Sequence, residues 1–181
     1  MRRGLFLLLF LTALAAAAQQ PASNSAPADL QQLVTREFGP AFTVDTHFPP
    51  LTADLDGDGQ PDLVLVANAK DPMGGQIDFH YRVLDPYDAY FGFGDPKVTG
   101  QFAVNMNAGP ARFVLVIHNW RAPKAKFVLI NLPFDRLSIS RVSVSKKRSA
   151  DAILAEESSG LNAAVFWDGK KYRWEPSHFA E

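Results

Sequence analysis

Residues Asp54-Leu55-Asp56-Gly57-Asp58-Gly59-Gln60-Pro61-Asp62 place four carboxylates within one short loop and run directly into the apolar stretch Leu63-Val64-Leu65-Val66-Ala67. No other segment restricts the fold as much. The apolar run is expected to be buried as a strand, so like charges are held together at a strand start. A divalent cation relieves that repulsion, and a hard ion such as calcium takes roughly six to eight oxygen ligands in a flexible shell. The carboxylates stand at relative positions 1, 3, 5 and 9, the Gln60 carbonyl lies among them at position 7, and Gly59 supplies a sharp turn at position 6. The plainer alternative is an Asp58-Gly59 turn between strands, which leaves Asp54, Asp56 and Asp62 without a role.

The stretch from Leu51 to Asn68, LTADLDGDGQPDLVLVAN, resembles the calcium-binding loop and following strand of FG-GAP/VCBS-type repeats, found in bacterial secreted proteins and integrin-like propellers. The resemblance implies calcium held by the side chains of Asp54, Asp56, Asp58 and Asp62 and by the carbonyl of Gln60. It also implies that calcium is structural and that the protein is exported and often surface-associated. The first nine positions equally resemble an EF-hand loop, but Leu65 stands at relative position 12, where that loop carries a bidentate glutamate. With no exiting helix evident, a calcium-triggered switch is not expected. One such loop occurs in the chain, and its 181 residues are too few for a normal closed propeller of four-stranded blades. The expected fold is therefore α+β, predominantly antiparallel β-sheet built as one sheet, with an N-terminal helix and one calcium-binding loop.

The N-terminus points to export. Met1-Arg2-Arg3 is basic, Leu5 to Leu14 is apolar apart from Thr12, and Ala13 to Ala18 is rich in small residues. That is the layout of a secretory signal cut between Ala18 and Gln19, and the stretch is short for a spanning helix. Residues 1–18 are read as a signal peptide, 19–27 as a short linker rich in Pro, Ser, Ala and Asn, and 28–181 as a single domain. The expected location is secreted or periplasmic, with no stable transmembrane segment after signal removal. The chain has no cysteine. An exported domain without disulfides relies on its core, and an ion that binds only the native state adds to its stability.

Beyond the tether, Leu30, Leu33, Val34 and Phe38 share one helical face, with Pro27 suited to the first turn and Gly39 to the C-terminal position. This predicts a helix over about 27–38. Strands are expected at Ala41–Thr46, Leu63–Ala67, Ile77–Leu84, Phe113–His118, Phe127–Leu132, Leu137–Val144, Ala152–Ala155 and Leu161–Trp167. A phase slip near Arg141 points to a bulge. Asp168-Gly169 between Val165-Phe166-Trp167 and Lys170-Lys171-Tyr172-Arg173-Trp174 reads as a tight hairpin. Residues 85–100, DPYDAYFGFGDPKVTG, read as an irregular, partly buried aromatic loop.

Charge is uneven: residues 19–100 hold 4 basic and 12 acidic side chains, and residues 101–181 hold 12 basic and 7 acidic. One fold is able to bring the two halves together, so the asymmetry points to internal complementarity as much as to a partner. The domain is not basic overall, and no nucleic-acid partner is expected. Lys146-Lys147-Arg148 reads as a solvated hairpin end. His47, His80, His118 and His178 form no HxH or HExxH pattern, no GxSxG surrounds Ser138, Ser140, Ser143, Ser145 or Ser149, and a cysteine nucleophile is excluded. The leading reading is an exported, non-enzymatic calcium-binding domain that binds a protein or glycan in the periplasm or at the cell surface. The alternatives are a purely structural envelope module, or a small secreted hydrolase using His80 or His118 beside an acid near the 85–100 loop.

Overall fold

The computed structural model describes residues 27–92, 111–145 and 148–177. Residues 1–18, read above as a signal peptide, most of the 19–27 linker, residues 93–100, Lys146-Lys147 and His178 lie outside the described residues. Helix α1 spans Pro27–Phe38. Its face at Val34 and Phe38 is buried, with Leu30 and Leu33 packed alongside. The Gln31 side chain fastens the helix to strand β1 (Thr43–Val44): its Nε2 donates to the Phe42 carbonyl at 3.0 Å and its Oε1 accepts from Val44 N–H at 2.9 Å.

The remaining strands are β2 (Leu51–Ala53), β3 (Asp62–Ala69), β4 (Arg82–Leu84), β5 (Ala111–His118), β6 (Ala125–Leu129), β7 (Arg136–Ser145), β8 (Arg148–Glu156), β9 (Asn162–Trp167) and β10 (Tyr172–Pro176). They form two sheets rather than the one expected. The first has the order β1-β3-β5-β6-β4, with β2 beside β1 on the same edge of β3; the second has the order β10-β9-β8-β7. All strand pairs are antiparallel except β4 with β6. The α+β class, the N-terminal helix and the antiparallel bias are as expected.

Three layers follow from side-chain alternation. Val64, Val66, Val114, Val116, Phe127 and Leu129 point from the first sheet onto Ile153, Val165, Tyr172 and Trp174 of the second. The opposite face of the first sheet, carrying Leu63, Leu65, Leu115, Ile117 and Val128, packs under α1. A strand covered on both faces has no polar side to show, which is why β3 and β5 read as unbroken apolar runs. The second sheet could not be counted from sequence, because alternation marks a strand's buried face without saying which other strands share it.

Several local expectations change. Ile77–Leu84 is not one strand. Residues Gln76–Phe79 form the single-turn helix α2, His80 turns the chain at φ 53°, and Ile77 is 85% exposed. The Gln76 Oε1 accepts from Val83 N–H at 3.1 Å, and the Tyr81 hydroxyl donates to the Pro72 carbonyl at 2.8 Å. These contacts replace the sheet bonds that the alternation implied. The aromatic stretch after Leu84 is not wholly irregular: Pro86–Tyr90 form the short helix α3, capped by Asp85 accepting from Asp88 N–H. The irregularity in β7 falls between Ser143 and Ser145, beyond Arg141. The β9–β10 hairpin forms, with Trp167 opposite Tyr172 and Asp168–Lys171 between them. Its turn is closed by Asp168 N–H donating to the Lys171 carbonyl at 3.0 Å, which leaves Gly169-Lys170 at the tip, one position further along than the expected Asp-Gly turn.

Candidate metal centre

The acidic loop joins β2 to β3, and its two ends are anchored in the core by residues of opposite character. Leu55 is fully buried in the layer between the sheets. Asp62, the first residue of β3, is also fully buried. Its Oδ2 accepts from the N–H groups of Leu55 (2.8 Å) and Asp56 (3.3 Å), and its Oδ1 accepts from Asn119 N–H at 2.8 Å. Burial is the largest influence on this carboxyl and lifts its pKa from 3.8 to about 6, against the pull of those backbone donors. Trp120 N–H donates to the Pro61 carbonyl at 3.4 Å, so the β5–β6 turn braces the same end of the loop.

Between the anchors the chain coils around its own carboxylates. Asp54 accepts from Gly57 N–H at 2.9 Å and Gly59 N–H at 3.0 Å, through separate oxygens. Asp56 accepts from Asp58 N–H at 3.1 Å and Asp58 from Gln60 N–H at 2.8 Å. Gly57 and Gly59 sit at φ 79° and 81°, and these left-handed steps turn the alternate carboxylates to one side. Oxygens of Asp54, Asp56 and Asp58 lie within 4.8 Å of one another. Ligands about 2.3–2.6 Å from a shared calcium ion are separated by at most about 5 Å, so this spacing suits a common ion. The donor set is all oxygen, which favours a hard cation over zinc or copper. Of the five residues expected at the ion, the structure gathers Asp54, Asp56 and Asp58. The Gln60 side chain is exposed, and Asp62 is turned toward backbone donors.

Sequence spacing did not reveal the residues behind the loop. His118, at the end of β5, is only 3% exposed, and its Nδ1 lies 3.4 Å from an Asp56 oxygen. Its Nε2 is 2.7 Å from the Tyr172 hydroxyl. Burial, the dominant influence, lowers the His118 pKa despite the nearby aspartates, and burial raises that of Tyr172 well above the phenolic range. Both groups are therefore neutral near pH 7. Since a carboxylate only accepts, the imidazole proton belongs on Nδ1, and Nε2 accepts from the phenol. The chain Asp56–His118–Tyr172 thus links the loop to the second sheet through an aromatic interior formed with Phe127 and Trp167. Lys124, beyond the β5–β6 turn, places its ammonium on Asp58 Oδ2. No signal within residues 51–68 indicates His118 or Lys124, because contact with the loop requires the β3–β5 pairing.

The other expected residues fall elsewhere. His47 pairs with Asp45 at 2.8 Å on an exposed turn, and His80 is exposed. Tyr87, Tyr90 and Phe91 all pack on Trp174, with ring centroids 5.1, 4.9 and 6.0 Å away. Tyr90 and Phe91 remain 49% and 54% exposed. The acidic and basic halves meet at Lys124–Asp58 and at Lys126–Glu37, the latter 3.3 Å apart. Among the described residues no helix is long and apolar enough to cross a membrane.

Fold and site together define a small helix-and-sheet domain with a cluster of three acidic side chains able to coordinate a divalent cation. Comparison with protein-family profiles, characterised proteins and solved structures finds no match to this chain.

Proposed function

We propose that this protein is an exported, non-enzymatic calcium-binding domain in which calcium is structural. The carrying observation is the convergence of Asp54, Asp56 and Asp58 on a loop whose two ends are buried through Leu55 and Asp62. Those three side chains and the Gln60 carbonyl coordinate the ion. Asp62 closes the set by fixing the amides that shape the loop. The likeness of residues 51–68 to FG-GAP/VCBS-type loops supports the same assignment, and the signal-like N-terminus supports a secreted or periplasmic location, where calcium is abundant. The exposed rings of Tyr90 and Phe91 favour a protein or glycan partner over a purely structural envelope role, since aromatic side chains are enriched at binding surfaces. A hydrolase has less support, because His118 and Tyr172 are enclosed between the sheets.

Thermal melting of the exported chain, with chelator and with millimolar calcium, tests the reading. Saturating calcium is expected to raise the melting temperature by about 5–10 °C. Asp56→Asn removes that increment and leaves the chelated melt nearly unchanged. Asp62→Ala strands three backbone N–H groups and costs about 3 kcal/mol or more with or without calcium. An identical wild-type melt in both buffers would exclude a structural calcium ion.

A further inference from the structure

Three gathered carboxylates need compensating charge whenever the ion is absent. Most of their partners within the loop are backbone N–H groups, which supply dipoles and no net charge. Arg121, on the neighbouring turn, lies over the Trp120 ring, its guanidinium carbon 4.9 Å from the ring centroid. Among the described residues, the lysine or arginine that forms an ion pair with the loop is Lys124, reaching Asp58 from 66 positions away in sequence.

The contact is tethered at one end and loose at the other. Lys124 N–H donates to the His118 carbonyl at 3.1 Å, and Ala122 N–H donates to the Asn119 carbonyl at 2.8 Å, so the turn fixes the backbone beside the loop. The side chain itself is 57% exposed, so water borders the ammonium where it meets Asp58. With Asp58 Oδ1 taken by Gln60 N–H and Oδ2 by the ammonium, both oxygens of this carboxylate are engaged. An ammonium and a divalent ion a few ångströms apart repel one another, so they do not share Asp58.

We propose that Lys124 is a built-in competitor for the metal: its ammonium holds Asp58 while the loop is empty and must leave when a divalent cation enters. Lys124 therefore sets the calcium affinity of the loop and damps its repulsion in the metal-free protein. The inference rests on the calcium reading above and adds a control on that site.

Calorimetric titration of calcium chloride into wild type, Lys124→Met and Lys124→Arg, at about 20 mM and about 500 mM sodium chloride, tests it. Lys124→Met is expected to bind calcium on the order of tenfold more tightly at low salt, with the gap narrowing at high salt. Lys124→Arg keeps the charge and stays near wild type. Binding by Lys124→Met alone would support the proposal in its strongest form. Wild type and Lys124→Met binding calcium with affinities within about twofold at both salts would overturn the competitor role and leave the calcium site standing. Absence of binding by all three proteins would overturn the calcium reading, and this inference with it.

Discussion

Two buried aspartates show how position decides what a carboxylate does. Asp62 and Asp85 are both raised to about 6, with burial the leading cause in each, yet one braces a loop and the other caps a helix. Asp85 accepts from Asp88 N–H at 2.9 Å and from the Asn131 amide at 2.7 Å. Because the folded state holds this proton more tightly than the unfolded chain, the Asp85 contribution to stability is complete below about pH 4. It is lost as pH rises to about 6, and is constant above. Asp85→Asn retains a capping oxygen and removes that titration. In calcium-free urea unfolding, the stability of Asp85→Asn relative to wild type is therefore expected to rise between about pH 4 and pH 6. A difference that stays flat over this window would refute the buried-carboxylate account. Nothing in the string Leu84-Asp85-Pro86 distinguishes this aspartate from a surface helix cap; its burial comes from Asn131 and the packing of α3.

At the scale of elements, α1 illustrates agreement between local signal and tertiary demand. Its apolar stripe, Pro27 start and Gly39 stop are all local features, and the helix occupies the span they mark. Gly39 also carries a constraint that no local rule contains. It sits at φ 94°, and a Cβ there would lie 2.5 Å from Cε2 of Phe79, on the neighbouring α2. Gly39→Ala is expected to cost about 2–4 kcal/mol, combining the left-handed backbone with overpacking. Urea unfolding measures it, and a loss near 1 kcal/mol would mean that Phe79 simply moves aside. The failure of the expected strand at Ile77–Leu84 has a related cause. Apolar alternation there is weak, and the side-chain bonds of Gln76 and Tyr81 stabilise a turn that sequence periodicity cannot see.

For the whole molecule, the decisive contact is the one that crosses the sheets. Tyr172 of β10 donates to His118 of β5, and His118 in turn abuts Asp56 of the loop. Tyr172→Phe leaves Nε2 of a buried imidazole without its donor, and a loss of about 1–3 kcal/mol is expected. The loss should be equal with and without calcium, because the hydroxyl is not a ligand; a loss confined to the calcium-bound protein would place the hydroxyl at the ion. The α+β class, the helix and hairpin, and the position of the acidic loop ahead of a buried strand were all legible in the amino-acid order. Each depends on residues within a dozen positions of one another, where periodicity, turn chemistry and ligand spacing operate. The presence of two sheets, the turn of Asp62 toward backbone amides, and the placement of His118 and Lys124 behind the carboxylates emerge from the folded chain alone. Those facts depend on strand pairing between distant segments, and desolvation and ion pairing act through space with no mark in the local sequence.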